Sequence, residues 1–407
     1  MGNARERVLA AFRRRFGGDP KWLIRAPGRA NLLGAHVDYS EGWVLPGALD
    51  RAVWLALRPA GGESAVSVIE AADIVDTGTE TSNVAELDTE WLPLPVPERS
   101  GGASSRNGGW RDIPRGVAWA LARAGHAVRP IEAVFGGDLP IGAGVSSSAA
   151  VEVAFLMAWE AAGGYGLHGL ERARLGRRVE NQYLGIGSGI MDQFASIHGR
   201  AGQLVFLDCR DLTFEFVPLP DGAAIVVADS GVRRALAESD YNSRPEECRQ
   251  AVERLREELP AIRTLRDVDE ERLEDHGHLL TRILRKRAQH VVGECRRVRE
   301  GARALREGNP VRFGELMRES HESSRDLYEV SIPELDALAF AAWSSNGCFG
   351  ARLSGAGFGG CVTALVEVET AGEVERRLRR DFERAFGRPC DTFVSSFGDG
   401  ASLQEVK

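Results

Sequence analysis

Lysine is almost missing from this chain: Lys21, Lys286 and Lys407 are three among 51 basic residues in a sequence of 407. Any nucleotide-binding scheme that needs a lysine at a set place is thereby excluded. No G-x-x-x-x-G-K-[ST] loop occurs, and neither a kinase lysine strand nor an H-R-D loop. The six cysteines (Cys209, Cys248, Cys295, Cys348, Cys361, Cys390) form no C-x-x-C pair and have no histidine cluster nearby. That argues against zinc and for reduced, mostly buried thiols in a cytoplasmic protein. No apolar run approaches the roughly 18 residues of a membrane span, which speaks against a membrane partner. Met1 to Phe16 has no apolar core for a secretory signal and reads as an amphipathic surface helix. Met1-Gly2 opens like a myristoylation site, but Glu6 stands where Ser or Thr is needed. A net charge of −8 argues against a nucleic-acid partner.

With 43% hydrophobic and 27% charged residues, the chain is long enough to bury a full core and to divide into two lobes. Trp22 to Arg25 and Val44 to Leu57 read as strands, and Ser146 opens a helix to about Ala162. A further helix spans roughly Leu170 to Tyr183. Strands are expected at 202–207, 224–228, 350–353 and 361–368, and helices at 244–258, 279–306 and 332–343. Between residues 61 and 109 the sequence is irregular, with alternating β-branched pieces around Val66 to Val75. Strands and helices mix without a steady βαβ rhythm, so the fold class is α+β. The break between lobes falls at residues 207–212, giving 1–208 and 209–407.

Three motifs carry chemistry. Arg29, His36 and Asp38 crowd into the stretch Gly28 to Tyr39, a density of donors and acceptors that suits a small polyhydroxylated ligand. In Pro140 to Ala150, the glycines Gly142 and Gly144 let backbone approach a ligand, and Ser146, Ser147 and Ser148 open the helix. The N–H groups and dipole of that helix favour an anion. The serines can cap it, bond phosphate or ligate a divalent cation. The run Glu180 to Gln193 places Glu180 and Asp192 around a glycine-rich turn, where one could hold a metal and the other act as a base. A third glycine-rich loop, Ser354 to Gly360, joins two strands.

In this order the motifs resemble the GHMP family of small-molecule kinases, and the first resembles its galactokinase branch. Leu207 to Arg210, Tyr241 to Arg244 with Glu247-Cys248, Arg287 to Glu294, Leu316 to Glu322 and Val330 to Leu338 match as well. The resemblance covers about residues 20 to 400. It implies a two-lobed fold with the active site in a cleft, and ATP-dependent phosphorylation of a sugar at its anomeric C1 hydroxyl. On the matching positions, His36, Asp38, Gly189 and Tyr241 meet the sugar, Asp192 is the base, and Arg29 orients it. The ATP phosphates lie on Gly142, Ala143, Gly144, Val145, Ser146, Ser147 and Ser148. Mg²⁺ lies on Ser147 or Ser148 and on Glu180. Gly355 and Gly357 belong to a loop that closes over the phosphates, and Trp110 falls at the adenine pocket or is a buried structural residue. The oligomeric state stays open, a monomer included.

Ala35 departs from the galactokinase pattern, which has glutamate there reaching the sugar's C6 hydroxyl. A methyl group forfeits that bond, roughly 1–3 kcal/mol for galactose. A uronic acid gains, because two carboxylates about 4 Å apart repel by roughly 4 kcal/mol at an effective dielectric of 20. Ser230 to Arg233 and Ser354 to Phe358 also look like galacturonokinases, with Arg233 or Arg234 as a candidate counter-charge. Gly359-Gly360 and the region of Tyr39 look like galactokinases. On these residues galacturonate is slightly favoured over galactose. A non-catalytic, galactokinase-like sensor of sugar and ATP is the alternative, and intact Arg29, Ser146 to Ala150 and Asp192 speak against it.

Overall fold

A computed structural model describes residues 3–61, 66–72, 83–88, 109–233 and 238–406. Helix α1 (Ala4–Phe16) buries Val8, Leu9 and Phe12 and leads into two long strands, β1 (Trp22–Leu33) and β2 (Trp43–Pro59). Strands β3 (Val66–Ala71) and β4 (Val84–Asp88), helix α2 (Asp112–Arg123) and strand β5 (Ile131–Gly137) follow. Then come α3 (Ser147–Gly163), α4 (Gly169–Arg178), α5 (Met191–His198), β6 (Gln203–Asp208), β7 (Phe214–Pro218) and β8 (Ala223–Asp229). The rest comprises α6 (Glu238–Leu255), α7 (Glu270–His276), α8 (Arg282–Arg306), α9 (Pro310–Asp326), α10 (Pro333–Trp343), β9 (Cys348–Ser354), β10 (Cys361–Glu367), α11 (Ala371–Phe386), β11 (Asp391–Ser395) and β12 (Ser402–Glu405).

Two sheets result. The larger runs β12-β1-β2-β5-β3-β4, with β6 also on β2 and β7 on β6; its β3–β5 pair is parallel. The smaller, β11-β8-β10-β9, is antiparallel throughout. The mixed α+β expectation holds. Strands β7 and β12 lie beyond residue 208 yet complete the first sheet, because β7 forms a hairpin with β6 and β12 covers the free edge of β1. Helix α3 is largely apolar and accordingly buried, Glu152 and Glu160 included, packed against β1 and β2 with Phe155 and Trp159 fully enclosed. The helix expected over 170–183 changes character after Arg178, where Val179–Leu184 forms a wider π-helical turn. Among the described residues no helix is long and apolar enough to cross a membrane.

Candidate active site

Strand β1 is irregular against β2 at Pro27/Arg29 and at Asn31/Leu33. Such breaks re-aim side chains, and Arg29 points out of the ladder toward α5. Its Nε donates to Asp192 Oδ1 at 2.9 Å and its Nη2 to Oδ2 at 3.0 Å. Nη1 donates to the carbonyl of Gly144 at 2.6 Å, and the Arg29 amide donates to the carbonyl of Val145 at 3.0 Å. One arginine therefore ties the first motif to the other two. Its side chain is 4% exposed whereas that of Asp192 is 27% exposed, so the carboxylate reaches the surface while its clamp does not. Asp192 lies in the first turn of α5, where the helix dipole favours its charge.

Ser146 differs from the two serines after it. It precedes α3 in a left-handed conformation (φ 56°), makes no cap bond with its side chain, and donates its hydroxyl to Asp192 Oδ2. Ser147 starts the helix, half-exposed, and Ser148 is exposed. Gly144 (φ 80°) has no room for a side chain, since a Cβ would stand 2.6 Å from the carbonyl of Ser354. The loop before α3 thus packs directly on the third glycine-rich loop, whose Gly355 and Gly357 are left-handed at 81° and 75°. Ala143 and Val145 are buried beneath.

On the other side, Gly189 and Asp38 meet. A Cβ on Gly189 would fall 2.0 Å from the Asp38 carboxylate, so only glycine fits. Asp38 Oδ1 accepts from the Tyr39 amide at 3.0 Å. Burial, then Asp192, pushes Asp38 up to about 6. Burial and Asp192 likewise push Glu180, in the π-helical turn, up to about 7, and its Oε2 accepts from the Ser188 hydroxyl. His36 is left-handed (φ 56°) and its ring meets those of Tyr328, Tyr241 and Tyr39 at 4.9, 5.8 and 6.1 Å. Burial, with His290 and Arg352 adding to it, holds that imidazole well below the usual range and hence neutral. Ala35, beside it, is buried.

Trp110 packs half-buried on Phe135, with the Arg111 guanidinium over its ring. Arg233 corrects the sequence-based expectation of a counter-charge for a uronate. Both Asp229 oxygens hold it at 2.8 Å, and its Cδ lies 3.1 Å from where a side chain on Gly142 would begin. It therefore sits over the phosphate loop; residue 234 lies outside the described residues. Sequence reasoning gave no role to Arg352, which is buried behind the same strand as Arg29. Its Nη1 donates to the Asn31 carbonyl at 2.9 Å, while Nε and Nη2 find no acceptor among the described residues.

Among the described residues no group of three or more His, Cys, Asp or Glu side chains forms a metal cage. The donors near the loop are hard oxygens: the Glu180 carboxylate, whose charge is unmet, and the hydroxyls of Ser147 and Ser148. That set fits Mg²⁺, which keeps water and phosphate oxygens rather than an all-protein cage.

Comparison with known proteins agrees with this geometry. Residues 10–59 match the galactokinase galactose-binding signature, 112–200 the GHMP kinase N-terminal domain and 302–384 the GHMP kinase C-terminal domain. The chain is 42% identical over 399 residues to a Roseiflexus galactokinase, covering 98% of this chain and 96% of that one. It is 36% identical to human galactokinase over 97% of this chain and 95% of the relative. The crystal structure of Lactococcus lactis galactokinase complexed with galactose superposes with a TM-score of 0.88 at 32% identity, covering 97% and 98% of the two chains. A Methanococcus jannaschii mevalonate kinase, at 16% identity and a TM-score of 0.61 over 93% and 98%, shares the fold.

Proposed function

This chain belongs to the galactokinases of the GHMP kinase family, and on that premise we propose that it moves the γ-phosphate of ATP to the C1 hydroxyl of a galactose-type sugar. The observation that carries the reading is the doubly bonded Arg29–Asp192 pair, set against Ser146 and the Gly144 carbonyl. Asp192 accepts the proton of the anomeric hydroxyl. Arg29 fixes the carboxylate's orientation, and its own charge offsets that growing on the attacking oxygen. The amides of 142–148 and Arg233 face the phosphates, and the transfer depends mainly on this positioning and neutralisation. Glu180 with Ser147 or Ser148 would hold Mg²⁺, which supplies further neutralisation of phosphate charge. Asp38, with Gly189 leaving it room, and His36 with Tyr241 bind the ring hydroxyls.

Galactose is the first reading of the substrate, supported by galactokinases similar over nearly the whole chain. Galacturonate is the second. It is supported by Ala35 and by Arg352, whose Nε and Nη2 find no acceptor among the described residues behind β1. Burial pushes that guanidinium down to about 10, so it stays charged at neutral pH. The deciding measurement is kcat/KM for both sugars in the wild type and in Ala35→Glu. A galactose enzyme turns over galactose, and Ala35→Glu raises that activity by about tenfold. A galacturonate enzyme turns over the acid and loses about 10²-fold or more of it on Ala35→Glu. A wild type inert to both sugars sinks the reading.

A further inference from the structure

The stretch 34–38 turns sharply out of β1, with Gly34 at φ 95° and the non-glycine His36 at φ 56°. A bulky residue in that region persists only when its surroundings over-determine it. What surrounds it here comes from the far end of the chain. Glu294 Oε1 accepts from the amides of Gly34 at 2.8 Å and Ala35 at 3.0 Å, and from the Ser320 hydroxyl at 2.7 Å. Its Oε2 accepts from Arg297 Nε at 2.7 Å. Burial alone would favour the acid form, yet Arg297, with Arg352 and the Ser320 hydroxyl, keeps this carboxylate charged. One turn earlier on the same face of α8, His290 Nε2 lies 3.0 Å from the Ala35 carbonyl and Nδ1 lies 2.9 Å from Ser323 Oγ. A carbonyl only accepts, so Nε2 carries the proton and Nδ1 accepts from the serine.

A second line of contacts runs from the same histidine to the side chains of the loop. The His290 ring stacks on Tyr328 at 4.2 Å and 29°. The Tyr328 ring meets His36 at 4.9 Å, and its hydroxyl lies 2.7 Å from that of Tyr39, which in turn lies 3.0 Å from His36 Nδ1. His290, Glu294 and Ser320 are all fully buried, and Ser323 nearly so. No route to solvent or to phosphate would explain their polarity. His290 and Glu294 instead face the backbone of residues 34–35, and Ser323 and Ser320 bond those two side chains in turn.

We propose that His290 and Glu294, braced by Ser323 and Ser320, are positioning residues for the sugar: they impose the loop geometry that aims His36 and Asp38 at the ring hydroxyls. The proposal rests on reading 34–38 as the sugar loop. It makes the backbone of residue 35 the point at which α8 clamps the loop from behind.

The test separates sugar binding from ATP binding and from folding. His290→Phe keeps the ring on Tyr328 but cannot donate to the Ala35 carbonyl, whereas His290→Gln restores a donor at the place of Nε2. Ser320→Ala removes one bond to Glu294 and little volume. Steady-state kcat, KM for the sugar and KM for ATP are measured on each, with sugar affinity by calorimetry and thermal midpoint alongside. The expected result for His290→Phe is a sugar KM raised about tenfold or more, with ATP KM within about twofold. His290→Gln should recover most of that loss, and Ser320→Ala should raise the sugar KM about threefold. Should His290→Phe not fold, Ser320→Ala carries the test. Unchanged sugar KM in folded His290→Phe or Ser320→Ala overturns the proposal, as does an equal rise for sugar and ATP or a lowered midpoint with unchanged KM. A wild type that phosphorylates no galactose-type sugar would instead overturn the functional reading beneath it.

Discussion

The two ends of the cleft are built on different principles. At the phosphate end the parts are contiguous in sequence and largely backbone: a glycine-rich loop, the first amides of α3, and a second glycine loop packed against Gly144. At the proposed sugar end the parts are side chains of residues 36, 38, 241 and 328, with Gly189 leaving room for Asp38, and the loop that carries the first two is bonded to α8. Backbone cradles bind phosphate whatever group it is attached to, so such an end serves any member of a kinase family. Side-chain pockets discriminate, because each hydroxyl left unmatched costs about 1–3 kcal/mol. The departure at Ala35 falls at the discriminating end.

Asp192 is where the two ends meet, so its loss should produce the largest effect. Asp192→Asn keeps the shape and one acceptor for Arg29 but removes the base, and kcat should fall by roughly 10²–10⁴. ATP KM should stay within about threefold, since the phosphate loop is untouched. Near wild-type turnover in a rapid-quench assay of purified Asp192→Asn would show that the proton goes elsewhere.

Gly189→Ala should break the sugar end alone. The new methyl would overlap the Asp38 carboxylate, with 2.0 Å between their positions, so Asp38 must move by about an ångström. Displacements of that size in a positioned group cost up to about 10²-fold. The sugar's kcat/KM should fall by about 10- to 100-fold while ATP KM holds. A parallel rise in both KM values would mean that the ends are coupled more tightly than their construction suggests.

The same division explains what could be read from the sequence. The loop at 140–148 was legible because glycines, serines and a largely apolar helix stand next to one another. The pairing of Arg29 with Asp192 spans 163 positions, and only the family resemblance joined them. The clamp on Ala35 spans about 260 positions. Its one local sign is that His290 and Glu294 share a face of α8 with Leu284, Val291 and Val298, all buried. Polar groups on an apolar face announce a partner but do not say which. Among three serines, the distinct role of Ser146 depends on a backbone angle that no spacing encodes. Strand β12 was invisible for the opposite reason: its four residues are all exposed, and only the free edge of β1 makes them a strand. Arg233 was misplaced because sequence proximity to a diverged motif says nothing about which end of the cleft a side chain reaches.

A further effect is expected on stability rather than turnover, and it too separates the ends. Glu180 on the phosphate side is pushed up to about 7 and Asp38 on the sugar side to about 6, burial being the main cause and Asp192 the next. A carboxyl raised in the folded state binds its proton more tightly there than in the unfolded chain. The stability it contributes is full below the ordinary carboxylate range and is lost as pH rises through the folded value. Without ligands, the thermal midpoint should therefore fall between about pH 4.5 and 7. Glu180, shifted from 4.5 to about 7, accounts for about 3 kcal/mol of that loss. Glu180→Gln should flatten the upper part of the slope and Asp38→Asn the lower part. Magnesium with nucleotide should restore the midpoint near neutral pH in the wild type but not in Glu180→Gln, because the cation supplies the opposite charge that the buried carboxylate lacks. A wild-type midpoint that stays level across this window would mean that these two carboxyls are already matched by charge or water.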